Sequence, residues 1–328
     1  MQSASEFQHA IVSAQGTEAD VLAAVNAVRE QHGLALRSAE LMRWRADAPD
    51  GAVLGVARDA ERVVAVVQGV RHRVLLEGQP THWVEVVELC NDFAGRTGLA
   101  RTRAYLELCE AFAREVGGFA PEAANVLYGI PNRRAHRIGL ARLKQEILRS
   151  ENVLSVQPST VVWEHQGLEV EELARFDERV DAFFERFAQG RPAIAVRDVE
   201  RLNWRYADHP ERDYRCALVK RGEEILGYAV LREGSWGGHE GGLLVDWLVL
   251  PEREAWFELL VWARDASARD RLVVNVGDKS PEFGLFQAFG FRVAGTDEYL
   301  VFRGFQKPYV MSWLSAHWTY TLGDSERG

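Results

Sequence analysis

The sequence is short of several things, and each shortage excludes something. It holds three cysteines in 328 residues, Cys90, Cys109 and Cys216. Three widely spaced cysteines form neither a disulfide framework nor a metal-ligand spacing. A reducing cytoplasm is the expected compartment. His72, His82 and His165 have no ligand-like spacing, so no metal is expected. An excess of positive charge is missing too, the formal net charge being −9. That disfavours a nucleic-acid partner, although a local basic patch can still bind an anion. No apolar run is long enough to span a membrane. The start, MQSASEFQHAIVSAQG, lacks the basic residues and long apolar stretch of a signal peptide. No segment is of low complexity. What is present is the composition of a soluble globular protein, long enough for two domains. Most of its ten tryptophans are expected in core or pocket walls.

An internal repeat is visible. Residues 41–70 read LMRWRADAPDGAVLGVARDAERVVAVVQGV, and residues 202–231 read LNWRYADHPERDYRCALVKRGEEILGYAVL. Trp44 matches Trp204, Arg45 matches Arg205, and Pro49 matches Pro210. The offset is half the chain, which indicates two similar domains rather than a solenoid. The expected boundary gives domains 1–160 and 161–328, near SVQPSTVVWEHQG. Recurrence of the tryptophan pair points to a shared architectural job in the core.

The order of elements is similar in the two halves. QHAIVSA reads as a strand, and EADVLAAVNAVREQH as a helix with Thr17 as its N-cap. AVLGVAR and RVVAVVQGV form a hairpin, and HWVEVVELC is a further strand. Leu99, Thr102, Leu106, Cys109, Ala113 and Val116 mark a helix face. ANVLYGIP reads as a strand and NRRAHRIGLARL as a helix. In the second half, residues 170–188, VEELARFDERVDAFFERFA, read as helix throughout. Strands, a helix at EREAWFELLVWARDA and a short helix at PEFGLFQAF follow. The expected fold class is α+β, each half a mostly antiparallel mixed sheet flanked by helices.

Three stretches resemble the GNAT acyltransferase superfamily in its tandem form: the strand–glycine loop–helix at 83–116, VLYGIPNRRAHRIGL at 126–140, and PEFGLFQAFGFRV in the second half. NWRYADHP and HWTYTLGDSE resemble bacterial tandem members, some of them in surface-polysaccharide pathways. The resemblance implies an acyl-CoA co-substrate held by a loop of the form Gln or Arg, two residues, Gly, one residue, Gly or Ala. Gly95-Arg96-Thr97-Gly98-Leu99-Ala100 fits that form except that Gly95 stands where Gln or Arg is usual. Close backbone approach and a helix start suit a pyrophosphate, and Arg96, Arg101 and Arg103 add charge. In the second half, Pro251-Glu252-Arg253-Glu254-Ala255 enters its helix with no glycine and two acids. Only the first half is therefore expected to bind the co-substrate, with the second walling the acceptor site.

Acyl transfer needs a base, donors for the oxyanion and often an acid for the thiolate. Glu85 and Glu88 lie on the strand before the loop, three apart, and so are expected on opposite faces. A carboxylate there is either a base or an ion-pair partner, and the resemblance implies Glu85, which stands at about the distance before the loop where GNAT bases often sit. The resemblance implies an acid on the helix after VLYGIP, where His136 stands instead of tyrosine. Tyr128 is a rival acid or a core tyrosine. Asn132 either contacts the pantetheine or caps its helix.

The leading expectation is an acetyl-CoA-dependent acyltransferase acting on a small molecule, such as an amino sugar of surface polysaccharide. Two alternatives are an aminoacyl-tRNA-dependent transferase of peptidoglycan-bridge type and a non-catalytic binding protein on a decayed fold.

Overall fold

The computed structural model describes residues 8–13, 19–92, 100–305 and 311–328. In the first half the strands are β1 (Gln8–Ser13), β2 (Ala52–Asp59), β3 (Arg62–Leu76), β4 (Gln79–Asn91), β5 (Ala124–Gly129) and β6 (Glu146–Val156). Then come β7 (Glu169–Leu173), β8 (Ala193–Ala195), β9 (Arg215–Arg221), β10 (Glu224–Trp236) and β11 (His239–Val249). β12 (Leu272–Val274), β13 (Arg292–Gly304) and β14 (Trp318–Thr319) complete the set. The helices are α1 (Ala19–Gln31), α2 (Ala39–Ala46), α3 (Ala100–Val116), α4 (Arg133–Arg142) and α5 (Arg179–Ala188). α6 (Val199–Leu202) runs into a π-helical turn at Asn203–Ala207, followed by α7 (Arg253–Ala266), α8 (Pro281–Ala288) and α9 (Met311–His317).

Nearly all strands join one sheet, in the order β1-β2-β3-β4-β5-β13-β6-β12-β11-β10-β9-β7. β8 lies on the end of β3, and β14 on β8. The order carries an exchange. β13 sits between β5 and β6, and β6 sits between β12 and β13. Each half therefore closes its sheet with a strand from the other, so there is no pair of separate sheets. β6 had no counterpart in the sequence reading.

Alternation along β2 divides the first half into two layers. Val53 and Ala57 pack with Leu108, Phe112 and Val116 of α3. Ala52, Leu54 and Val56 pack with Val21, Val25 and Val28 of α1. Burying Leu108 and Phe112 stabilises the first layer by about 1.5–3 kcal/mol each. Gly69 permits the close approach, because a Cβ there would stand 3.0 Å from Phe112 Cζ. In the second half, α7 lies on β9, β10 and β11 through Trp256, Leu259, Leu260 and Ala263.

The single helix expected at 170–188 is in fact β7 followed by α5. β7 pairs with β9, and Lys220 of β9 reaches Glu169 at 2.9 Å and Glu171 at 2.6 Å. Edge pairing and these bridges override helical propensity. Ser38 caps α2 by accepting from the Leu41 N–H at 3.0 Å. Thr17, the N-cap expected for α1, lies outside the described residues.

Candidate active site

β4 pairs in parallel with β5 from His82↔Ala124 to Glu85↔Tyr128. Beyond that point β5 ends at Gly129 while β4 runs on to Asn91. The two strands part there, and α3 begins nearby in the chain, at Ala100. Residues 93–99 are not described, so the expected loop residues Gly95, Arg96, Thr97, Gly98 and Leu99 lie outside the described residues, as do the side chains of Ala100 and Arg101.

Glu85 stands where β4 and β5 part and is 5% exposed. Its neighbour Glu88 was expected on the opposite face. The ladder shows otherwise. Glu85 is opposite Val70 and Glu88 is opposite Gln68, so Val87 is an extra, bulged residue. Val70 and Gln68 are two apart and share a face. The bulge thus places both carboxylates on the face away from α3.

Their environments differ. Glu88 accepts from Arg29 at 3.0 Å, Arg37 at 2.8 Å and Arg45 at 3.3 Å. Burial alone would raise its pKa, but Arg37, Arg45 and Arg29 hold it below the usual carboxylate range. Glu88 is a structural ion-pair partner. Glu85 has no guanidinium within 4 Å among the described residues. Its Oε1 accepts from the backbone N–H of Glu326 at 2.9 Å. Burial, and then the charge of Glu326, push its pKa up to about 7. A carboxyl poised there suits a general base.

His72 lies beside the carboxylate. Its Nε2 is 3.8 Å from Glu85 Oε2 and makes no hydrogen bond among the described residues, and its Nδ1 is in contact with Arg201 Nη2. A guanidinium can only donate, so Nδ1 accepts and the ring proton sits on Nε2, toward Glu85. Burial, together with Arg201, Arg197 and Arg205, holds His72 well below its ordinary pKa, hence neutral.

The remaining candidates separate. Tyr128 is 3% exposed and donates to the carbonyl of Asp324 at 2.7 Å. Burial, then the charges of Glu85 and Asp324, raise its pKa well above normal. His136 stacks on Tyr299 with centroids 4.7 Å apart, and its Nδ1 is buried without a partner. No described contact joins it to Glu85. Asn132 caps α4 by accepting from the Ala135 N–H at 2.9 Å.

The segment to which the sequence assigned no role at the site is Thr321–Gly328, although HWTYTLGDSE overlaps it. Asp246, fully buried on β11, fixes it. Asp246 accepts from Thr321 at 2.7 Å, Tyr206 at 2.8 Å and Arg197 at 3.0 Å. Burial alone would raise the Asp246 pKa, and Arg197, Thr321 and Tyr206 bring it below normal. Gly323 allows the approach, since a Cβ there would meet Asp246 Cγ at 2.6 Å. Arg45 and Arg205, matched in the repeat, converge on this segment: Arg45 binds Glu326 Oε1 at 2.6 Å and Arg205 binds Ser325 O at 2.8 Å. The repeat and the resemblance carried by HWTYTLGDSE were the sequence signals for it.

With this geometry in hand, solved structures give the comparison. A probable N-acyltransferase from Enterococcus faecalis V583 superposes with a TM-score of 0.63 at 11% identity, over 95% of this chain and 74% of that one. A tandem GNAT protein from the clavulanic acid biosynthesis pathway matches at 0.54 and 12% identity, over 90% and 98%. Saccharomyces cerevisiae N-myristoyltransferase with bound myristoyl-CoA matches at 0.55 and 11% identity, over 92% and 79%. The fold is that of the GNAT acyltransferases in its tandem form. No known family profile matches the chain, and no curated protein matches its sequence.

Proposed function

We propose that this protein is an acyl-CoA-dependent acyltransferase for a small-molecule amine or hydroxyl acceptor. One observation carries the reading: Glu85, a buried carboxylate with no guanidinium partner among the described residues, stands where the β4–β5 pairing ends, on a fold shared with acyl-CoA enzymes. The pairing of β4 with β5 ends at Glu85↔Tyr128, and the sequence Gly95–Leu99 precedes α3, so an acyl-CoA arm would run past the end of that pairing toward the start of the helix. Backbone N–H groups at such a start favour a pyrophosphate.

Bound there, the co-substrate supplies a thioester acyl carbon. Glu85 takes the proton as the acceptor nitrogen or oxygen bonds to that carbon and the carbon–sulfur bond breaks. The neutral His72 beside it adds no charge to the site. The chain divides at 160/161 into the acyl-CoA-binding half and a partner half, with β6 and β13 exchanged. The protein works in the cytoplasm, and acetyl-CoA is the first donor to test. Isothermal titration with acetyl-CoA checks the reading, and absence of binding at high micromolar concentration sinks it. A screen of amines by thiol release, glucosamine among them, then identifies the acceptor.

A further inference from the structure

A cavity of about 520 Å³ lies where the two repeats meet, within the size range of small-molecule sites. α2 and the residues after it form one wall, and α6 with its π-helical turn forms the other. All but Arg175 and Val199 of the lining residues fall into pairs 160 or 161 positions apart. Trp44 answers Trp204, and Pro49 answers Pro210. Each of the two indoles donates to the other residue's carbonyl, the reciprocity of a two-fold relation. The cavity has therefore inherited two matching walls from the repeat.

The charges follow the same relation. Glu40 and Asp47 in the first half correspond to Glu200 and Asp208 in the second. Arg43 accompanies the first pair of acids, and Arg175 the second. Each wall thus carries two carboxylates and one guanidinium, which leaves one negative charge per wall. Arg175 pairs with Asp208. Among the described residues, Glu40, Asp47 and Glu200 have no ion-pair partner. The acids are spread rather than gathered. Among the described residues, no three of them stand close enough together to hold a metal ion.

The indoles meet the cavity with their edges. Their inner faces stack on each other, while Arg201 lies over Trp204 and His209 against Trp44. They offer apolar contact beside the two prolines and Val199, and no open ring face for a cation.

We propose that this cavity binds an aliphatic diamine, with one ammonium group at the carboxylates of each wall and the methylenes along the indole edges and prolines. A ligand with two like ends matches a lining that the repeat has made alike on both sides. Two ammonium groups match one negative charge from each wall, whereas a metal ion is too compact to meet both. No candidate residue of the acyl-transfer site lines the cavity, so the diamine is bound here as a ligand and not as the acyl acceptor. The proposal stands apart from the acyltransfer reading.

Titration calorimetry on the whole chain at low salt tests it, with hexamethylenediamine and hexylamine as probes and no acyl donor. The diamine is expected to bind about three- to fivefold tighter, as a second exposed ion pair allows. That advantage should shrink at high salt. Glu40→Gln and Glu200→Gln, one from each wall, should each bring the diamine close to the monoamine. Both side chains are exposed, so the melting temperatures should stay near that of wild type. Arg43→Gln takes a positive charge from the same cavity and should tighten the diamine, which a loss of structure would not do. Magnesium chloride should weaken the diamine no more than sodium chloride of equal ionic strength. Absence of diamine binding at millimolar concentration overturns the proposal, as does equal binding of the two probes. So does a ratio unchanged in both glutamate variants, weaker binding to Arg43→Gln, or displacement specific to magnesium.

Discussion

Trp44 and Trp204 stack with ring centroids 4.3 Å apart and planes within 4°. Each indole N–H donates to the other's backbone carbonyl, at 2.7 Å and 2.8 Å. The arrangement is reciprocal because the two residues are equivalent positions of the repeat. Replacing either by alanine should cost about 3–5 kcal/mol. The double variant should cost much less than the sum, since each change already removes the partner's contact. Denaturant unfolding of the three variants measures this, and additive losses would contradict it.

The proposed role of Glu85 as the base predicts the pH dependence of transfer. A base works ionised, so kcat/KM should rise with pH and level off above about 7. Glu85→Gln should lose about 100- to 10,000-fold and with it that limb of the profile. Stability moves the other way. The folded pKa lies above the ordinary value, so this carboxyl's favourable contribution is present at low pH and fades as pH rises through 7. Glu85→Gln should therefore be more stable than wild type at pH 8, by thermal melting, and a variant less stable at that pH counts against the buried carboxyl.

Glu88 has the opposite sign. Its pKa is depressed, so its contribution is present above the ordinary carboxylate range and is lost in acid. Glu88→Gln leaves Arg45, fully buried, without one of its two carboxylates. A loss of about 3–5 kcal/mol at pH 7 is expected. The loss should shrink below pH 4, and urea titrations at the two pH values read it out.

Asp246 anchors the segment at the site. Asp246→Asn keeps the shape but leaves Arg197 with one fewer anion. It should destabilise the protein by about 3–5 kcal/mol and expose residues 321–328 to proteolysis. Limited digestion followed by mass spectrometry would show the early cut. An unchanged digestion pattern would mean that other contacts hold the segment.

Gly98 is predicted to need its backbone close to the pyrophosphate. Gly98→Glu adds bulk and a negative charge there. Acetyl-CoA affinity should fall below detection in titration calorimetry while the melting temperature stays near that of wild type. Retained affinity would move the co-substrate site elsewhere.

Much of this was legible in the sequence, and the gaps have physical causes. Periodicity located α3 and the long strands, and the carboxylates of β4 stood out in an apolar strand. Their relative orientation did not, because the Val87 bulge exists only through pairing with β3. β7 was read as helix because its partner β9 lies more than 40 residues on. His72 gained its meaning only from Arg201, and Thr321–Gly328 only from Asp246 and the arginines; such contacts span 75 residues or more. Asn132 showed its capping role in its own local pattern, as short-range signals do.

The exchange of β6 and β13 bears on how the protein is made. The chain leaves the ribosome from its N-terminus, so β1 to β5 emerge well before the strand that must lie against β5. That strand, β13, ends at Gly304. Until then the edge of β5 has no permanent neighbour and is open to wrong pairings. The first half is thus the earlier to be synthesised, yet it waits for nearly the whole chain before its sheet can close.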